Sequence, residues 1–443
     1  MDEETGETVM GAPSTSKDAL YALMRPASVK PEMKHTLKRI VRCCEYSKAI
    51  SNYNYDYHDD GRIRFTITVD GTKTGRHAVG SWFDGCGKNV QTVSKTGRDV
   101  ASVFSAEEKE TLGIQGLKYL NNELHHFMAP EGYRICQVDL AGADAWTLAA
   151  RLALLGCDVL LEDLRFGLKP ALIILYMFLH GNTVFAGKSR AEIKAMCKSL
   201  DTDGHLAGPY RACKVVWYGG AYGLTPDGMS GKAYKDTEGV VDYTANEFKK
   251  FWNLLCVRYW AIPAWVTNIK HLLQAGKPFP RMTCPSGQTR SFMGPIHVYR
   301  PIGGGRWKAQ PELSPGTVNQ ACSQEPQSVT THIINRAYQN LIIDPMNRYC
   351  PIEDANTEDY GFLARPLFGI HDSLITIFRS KFFREATRNI LSAFNVPVTY
   401  YSPDGTKSVT VLIPYEGKYG RTLGEKIPKH KEGDFIDAEG GNI

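Results

Sequence analysis

Two aspartates, each at the end of an apolar run, constrain this chain more than any other feature in it. Asp139 closes Tyr133-Arg134-Ile135-Cys136-Gln137-Val138-Asp139-Leu140, and Asp372 lies in Gly369-Ile370-His371-Asp372-Ser373-Leu374-Ile375. Both runs read as strands, the second pair with His371-Asp372 at a turn. An ionised carboxylate at the end of a buried strand is costly unless its charge is compensated. Two of them, far apart in sequence, share that cost if the fold brings them together around divalent cations. Mg²⁺ prefers oxygen ligands and keeps water or substrate phosphates in its shell. Two such ions about 3.5–4 Å apart lower the pKa of an attacking 3′-hydroxyl and neutralise a departing pyrophosphate. The expected metal set is two Mg²⁺ ions, with Mn²⁺ as a substitute, held by Asp139, Asp372 and the carbonyl of Leu140. Taken singly, either Asp reads equally as a strand-end or turn residue.

Between the two acids lies a basic, aromatic helix candidate, Arg211-Ala212-Cys213-Lys214-Val215-Val216-Trp217-Tyr218-Gly219-Gly220-Ala221-Tyr222-Gly223. Arg211, Lys214, Tyr218 and Tyr222 recur at spacings of 3, 4 and 4, which puts them on one helical face. Cations there suit a triphosphate, and an aromatic ring one turn on suits stacking against a base. Gly219-Gly220 weakens an isolated helix and admits a ligand or another backbone closely. Alone, the segment is equally an amphipathic helix with an aromatic core stripe. Beside the aspartate pair, it points to phosphoryl transfer on a nucleotide.

Two weaker segments fit the same chemistry. In Thr72-Lys73-Thr74-Gly75-Arg76 a guanidinium follows a glycine turn and can meet a sugar or base edge. Asn89 and Gln91 follow in a polar stretch suited to a duplex backbone. In Glu325-Pro326-Gln327-Ser328-Val329-Thr330-Thr331, Gln327 and Thr331 share a helical face and Pro326 suits a first helical turn. Gln327 can then hydrogen-bond template or minor-groove acceptors. A solvated loop and a surface glutamine are the plain alternatives.

A chain of 443 residues can bury a sizeable core in two or three lobes. The net charge of +5 is too small to identify a polyanion partner. Residues 25–100 hold 14 Lys/Arg against 8 Asp/Glu, which suits a phosphate track and equally a solvated basic face. Eleven cysteines without a CxxC pair suit a reducing cytosol. No apolar run reaches the roughly 20 residues that span a bilayer, so no membrane partner is expected.

Periodicity predicts helices at 17–24, 31–52, 141–155, 168–179 and 327–343, and two helices over 247–274 broken at Pro263. It predicts a strand over 62–69, loop over 71–87, and short hairpins over 277–310.

In order along the chain, these segments resemble the polymerase domain of family A DNA polymerases, the bacterial DNA polymerase I and phage replicase family. Thr72-Lys73-Thr74-Gly75-Arg76 is similar to the family's Thr-x-Thr-Gly-Arg. Ala129-Pro130-Glu131-Gly132-Tyr133 and Val138-Asp139 resemble the lead into motif A. Lys214, Tyr218-Gly219 and Tyr222-Gly223 resemble motif B, Gln327 the template-side Gln, and His371-Asp372 motif C. The resemblance implies that Asp139 and Asp372 bind the catalytic metals and that Arg211 and Lys214 meet the incoming triphosphate. It implies that Tyr218 stacks on the nucleotide, that Tyr222 sits by the templating position, and that Asp144 stands where the family excludes a ribose 2′-hydroxyl. Arg76, Gln91, Gln327 and His371 would contact DNA. The chain departs from the pattern in four places. Asp144 is one methylene shorter than the family's Glu, and Arg211 lies three rather than four residues before Lys214. Lys169-Pro170 stands near the family's phosphate-binding His, and Ser373 where a third acid is common.

The implied fold is α/β (more narrowly α+β): a right-hand polymerase with an antiparallel palm sheet, helical fingers, and a thumb reduced or missing. The expected organisation is a tail at 1–16, a thumb base at 17–60, palm at 61–162, fingers at 163–320, palm again at 321–415, and a charged C-terminal tail at 416–443. The implied partners are primer-template DNA, dNTPs, and a separate protein supplying thumb, exonuclease or processivity function. No exonuclease carboxylate set stands outside the polymerase motifs. The implied setting is a phage enzyme in a bacterial host cytoplasm. A single-subunit RNA polymerase, or a non-catalytic DNA-binding polymerase subunit, is the alternative.

Overall fold

The computed structural model describes residues 16–53, 65–68, 78–80, 127–200, 206–237, 239–275, 279–303, 306–344, 362–423 and 430–431, with residues 59, 72, 107, 110 and 347 as isolated points. In chain order, helices α1 (Lys17–Met24) and α2 (Pro31–Tyr53) precede the short strands β1 (Thr66–Thr68) and β2 (Ala78–Gly80). Strand β3 (Tyr133–Leu140) leads into α3 (Ala143–Leu154), α4 (Val159–Arg165), α5 (Pro170–His180), α6 (Arg190–Lys198), α7 (Ala207–Ala221), α8 (Pro226–Asp236), α9 (Ala245–Arg258) and α10 (Ile262–Gln274). Two hairpins follow, β4 (Arg281–Thr283) with β5 (Thr289–Ser291) and β6 (Ile296–Gly303) with β7 (Arg306–Glu312), and then the long helix α11 (Pro315–Ile343). The chain closes with β8 (Ala364–Ile370), β9 (Ser373–Arg379), α12 (Phe383–Ala393), β10 (Val398–Tyr401), β11 (Ser408–Val411), β12 (Tyr415–Gly420) and β13 (His430–Lys431).

One antiparallel sheet, ordered β13-β12-β3-β9-β8, carries both aspartates. Alternation along β3 decides its faces. Cys136, Val138 and Leu140 are buried toward the main core, where each apolar side chain contributes about 1.5–3 kcal/mol by leaving water. That core continues through Leu148 and Leu152 of α3 and Val329 and Ile333 of α11. Ile135, Gln137 and Asp139 face the other way, with a smaller apolar cluster (Ile135, Phe368, Ile375) under the start of that face. A fold of mixed α/β class with an antiparallel sheet and a large helical block is therefore what the chain adopts, as expected.

The helical block is built with standard terminal devices. Ser189 with Glu192, and Thr244 with Glu247, form reciprocal capping boxes at α6 and α9. Pro263 sits in the first turn of α10, so the break expected there falls where proline is harmless. Asp163 is fully buried and satisfied by Arg258 (2.8 Å) and the Tyr259 hydroxyl (3.0 Å), with Arg190 nearby, which ties α4, α6 and α9 together. The N-terminal pair docks on α8. Tyr21 meets Tyr234 edge-on, and Arg25 donates to Ser230 and to Asp242. Among the described residues, no helix is long and apolar enough to cross a membrane.

Three expectations need correction. The segment from Glu416 is not a tail at its start: Tyr415–Gly420 pairs with β3 along six residues. Its glycines and charges give little strand signal, but an unpaired edge on β3 supplies hydrogen bonds that override it. Pro326 lies inside α11 rather than in a first turn, because the helix begins at Pro315, eleven residues earlier. A mid-helix proline costs about 3 kcal/mol; Pro326 is nonetheless buried there and lines a cleft with α3 and α7 side chains. Finally, the stretch expected as loop at 71–87 contains β2, which pairs with β1.

Candidate active site

The sheet brings the two aspartates together. In the β3–β9 ladder Asp139 stands opposite Ser373, the neighbour of Asp372, and the Leu140 N–H donates to the Asp372 carbonyl at 2.9 Å. Strands so paired run about 4.8 Å apart, so the acids occupy one corner of the sheet. Asp372 is held by a two-residue hairpin turn between Ile370 and Ser373. His371 takes the first turn position with φ of 53°, in the left-handed region that a non-glycine residue enters at a cost. His371 is exposed and Asp372 half-buried. The side chain of Leu140 is buried in the core, so this residue has only backbone to offer the site.

Both carboxylate oxygens of Asp139 are engaged from within the sheet. Gln137, two residues back on the same face, donates to Oδ1 at 2.9 Å and to the Ser373 hydroxyl at 3.1 Å. Ser373 in turn donates to the Ile370 carbonyl at 2.9 Å, which closes the turn. Lys418 on β12 donates to Oδ2 at 3.0 Å, an ion pair with partners 35% and 21% exposed. Glu416 stands opposite Asp139 in the same ladder. Sequence reading missed Gln137, Lys418 and Glu416. The i−2 spacing to Asp139 was a signal for Gln137; for the other two none is local.

Gly142, at φ of 67°, turns the chain from β3 into α3 and sets Asp144 in the first turn of that helix. Helix α7 lies across from it. Its buried side holds Ala212, Cys213, Val216 and Trp217, while Arg211, Lys214 and Tyr218 are exposed on one face. Lys214 rests over the Tyr210 ring at 4.7 Å. Tyr222 is the C-cap residue rather than a further helical turn. Asp144, Leu148, Tyr218, Tyr222, Trp265 and Pro326 line one cleft. The Tyr218 hydroxyl is pushed up from its ordinary pKa by partial burial and then by the charges of Asp144, Tyr210 and Asp372. Gly220 explains the glycine pair: a Cβ there would fall 2.1 Å from the Trp252 ring, so the residue is needed for helix packing between α7 and α9.

The structure thus gathers Asp139, Leu140, His371 and Asp372 at one corner, and Asp144, Tyr218 and Tyr222 around an adjoining cleft. Gln327 is half-buried on α11, one residue beyond Pro326 of the cleft wall. Arg76 and Gln91 lie outside the described residues.

The donors at the corner suit a hard cation. Asp139 and Asp372 offer carboxylate oxygens, and the side chains that hydrogen-bond Asp139 are an amide and an ammonium rather than thiols. Among the described residues, no group of three or more His, Cys, Asp or Glu side chains forms a self-sufficient metal cluster. A pair of acids sharing ions with substrate phosphates fits that count, since Mg²⁺ is commonly held by one or two carboxylates plus phosphate oxygens.

No protein-family model and no curated protein matches the chain. Among solved structures, it is similar to the POL domain of Pol1 from M. smegmatis in complex with DNA primer-template and dNTP. The TM-score is 0.57 at 15% sequence identity, over 95% of this chain and 58% of that chain. The chain therefore has the fold of a family A polymerase domain, and spans 58% of the length of the structure it matches.

Proposed function

We propose that this chain is a template-directed DNA polymerase that adds deoxynucleotides to a primer 3′ end. The observation that carries the reading is the meeting of Asp139 and Asp372 on paired strands, in a chain that has a polymerase-domain fold and presents Lys214 and Tyr218 on one exposed helix face. Asp139 and Asp372, with the Leu140 carbonyl, would hold the divalent cations. When bound, these supply charge neutralisation for the attacking hydroxyl and the departing pyrophosphate. The protein's own share is positioning. Lys214 and Arg211 grip the triphosphate, Tyr218 stacks on the incoming base, and Tyr222 borders the templating position. Asp144 faces the sugar. Arg76, Gln91 and Gln327 track the duplex, and His371 meets the primer end.

Asp144 supports a second substrate outcome. Its side chain is a methylene shorter than Glu, so the cleft wall beside Tyr218 is less filled where a ribose 2′-hydroxyl would sit. Primer extension with separate dNTP and NTP pools tests both readings, wild type beside Asp139→Ala. Incorporation of dNTPs that Asp139→Ala abolishes is expected. A strong preference for NTPs would assign RNA synthesis instead, and incorporation that survives Asp139→Ala would reject the site.

A further inference from the structure

We propose that Lys418 is a built-in counter-cation that occupies Asp139 in the substrate-free protein and must yield before a divalent ion binds, so that it sets the metal concentration at which the site loads. This rests on the reading of Asp139 as a metal ligand.

The ammonium of Lys418 lies 3.0 Å from Oδ2, while Gln137 holds Oδ1. The neutral amide orients the carboxylate and leaves its charge available. The ammonium offsets that charge and takes a lone pair on the second oxygen. A cation approaching Asp139 therefore competes with Lys418 for Oδ2, and meets its positive charge as well. The register makes this contact a property of the fold: Lys418 stands opposite Gln137, and Glu416 opposite Asp139, all on the sheet face that holds the acid. Lys418 is 35% exposed on a flexible four-carbon stem, so its ammonium can swing out toward solvent without disturbing the ladder.

The test is Mn²⁺ binding to the full chain without DNA or nucleotide, read by electron paramagnetic resonance at low and high ionic strength. Lys418→Met is expected to bind Mn²⁺ about tenfold tighter than wild type, the scale of one charge-assisted contact. Lys418→Arg keeps the charge and is expected to bind like wild type. The gap between Lys418→Met and wild type should narrow as salt screens the ammonium. Unchanged or weaker binding in Lys418→Met, with Lys418→Arg folded and matching wild type, would overturn the inference. Asp139→Ala distinguishes failure of the counter-cation from failure of the metal site. Loss of binding there with no gain in Lys418→Met sinks the counter-cation alone, whereas wild-type binding in Asp139→Ala sinks the metal reading and the counter-cation with it.

Discussion

Arg151 grips Glu325 through two nitrogens, Nε to Oε1 at 2.6 Å and Nη2 to Oε2 at 2.9 Å, and so locks the helix that carries Asp144 to the helix that carries Gln327. The guanidinium also lies over the Tyr400 ring and donates to the Tyr401 carbonyl, while Glu325 is almost wholly buried. Removing one partner leaves a desolvated charge without compensation. Glu325→Ala is expected to lower unfolding free energy by about 3 kcal/mol, the low end for a broken buried pair because Arg151 keeps some water contact. Urea denaturation measures it, and a loss below about 1 kcal/mol would mean that the pair behaves like a surface bridge.

The two acids predict an activity loss without a folding loss. Asp139→Ala and Asp372→Ala should each reduce primer extension by a factor on the order of 10³ or more, because such a site accelerates the reaction chiefly by stabilising charge in the transition state. Gel-shift affinity for primer-template should stay close to wild type. Weakened DNA binding of similar size to the activity loss would indicate a structural role instead.

Gly220→Ala should destabilise the helical block. Its Cβ would meet the Trp252 ring at 2.1 Å, and overpacking of this kind costs about 1–3 kcal/mol. Trp252→Leu in the same background should recover most of the loss. Thermal melts of the single and double variants decide this, and additive losses would show that the contact is not the cause.

Alkali should unfold the chain through its thiols. Burial raises Cys136, Cys197 and Cys322 from the ordinary value of 9.0 to about 12. In the unfolded chain these thiols ionise near 9, so above that pH the unfolded state holds fewer protons than the folded one, and stability falls as pH rises. The thiol contribution is fully present below about pH 9 and is lost progressively toward about 12. Urea midpoints measured from pH 8 upward should decline, and Cys136→Ala should decline less steeply. A flat profile would contradict the burial of these groups.

Local pattern carried most helices and the two strands of the acid corner, but α4 (Val159–Arg165), α6 (Arg190–Lys198) and α8 (Pro226–Asp236) were not individually expected. The alternation around Val138 and the apolar flanks of His371-Asp372 are visible within eight residues. Lys418 was not visible, because its partner lies 279 positions away and the strand that presents it is Tyr-Glu-Gly-Lys-Tyr-Gly, a sequence of weak strand propensity. Only the free edge of β3 makes that segment a strand. Pro326 misled for a related reason: proline reads as a helix start, but the long contact of α11 with the core extends the helix through it. Gln137 sat two residues from Asp139 in the same strand, and its role still needed the pairing that puts Ser373 beside both.

The two-residue turn at His371-Asp372 leaves no slack between β8 and β9. One residue added there would either enlarge the turn and displace Asp372, or slip β9 by one residue and send Ser373 to the other face. Side-chain replacements at constant length leave this geometry intact, whereas a longer loop alters the placement of Asp372 whichever way it is accommodated.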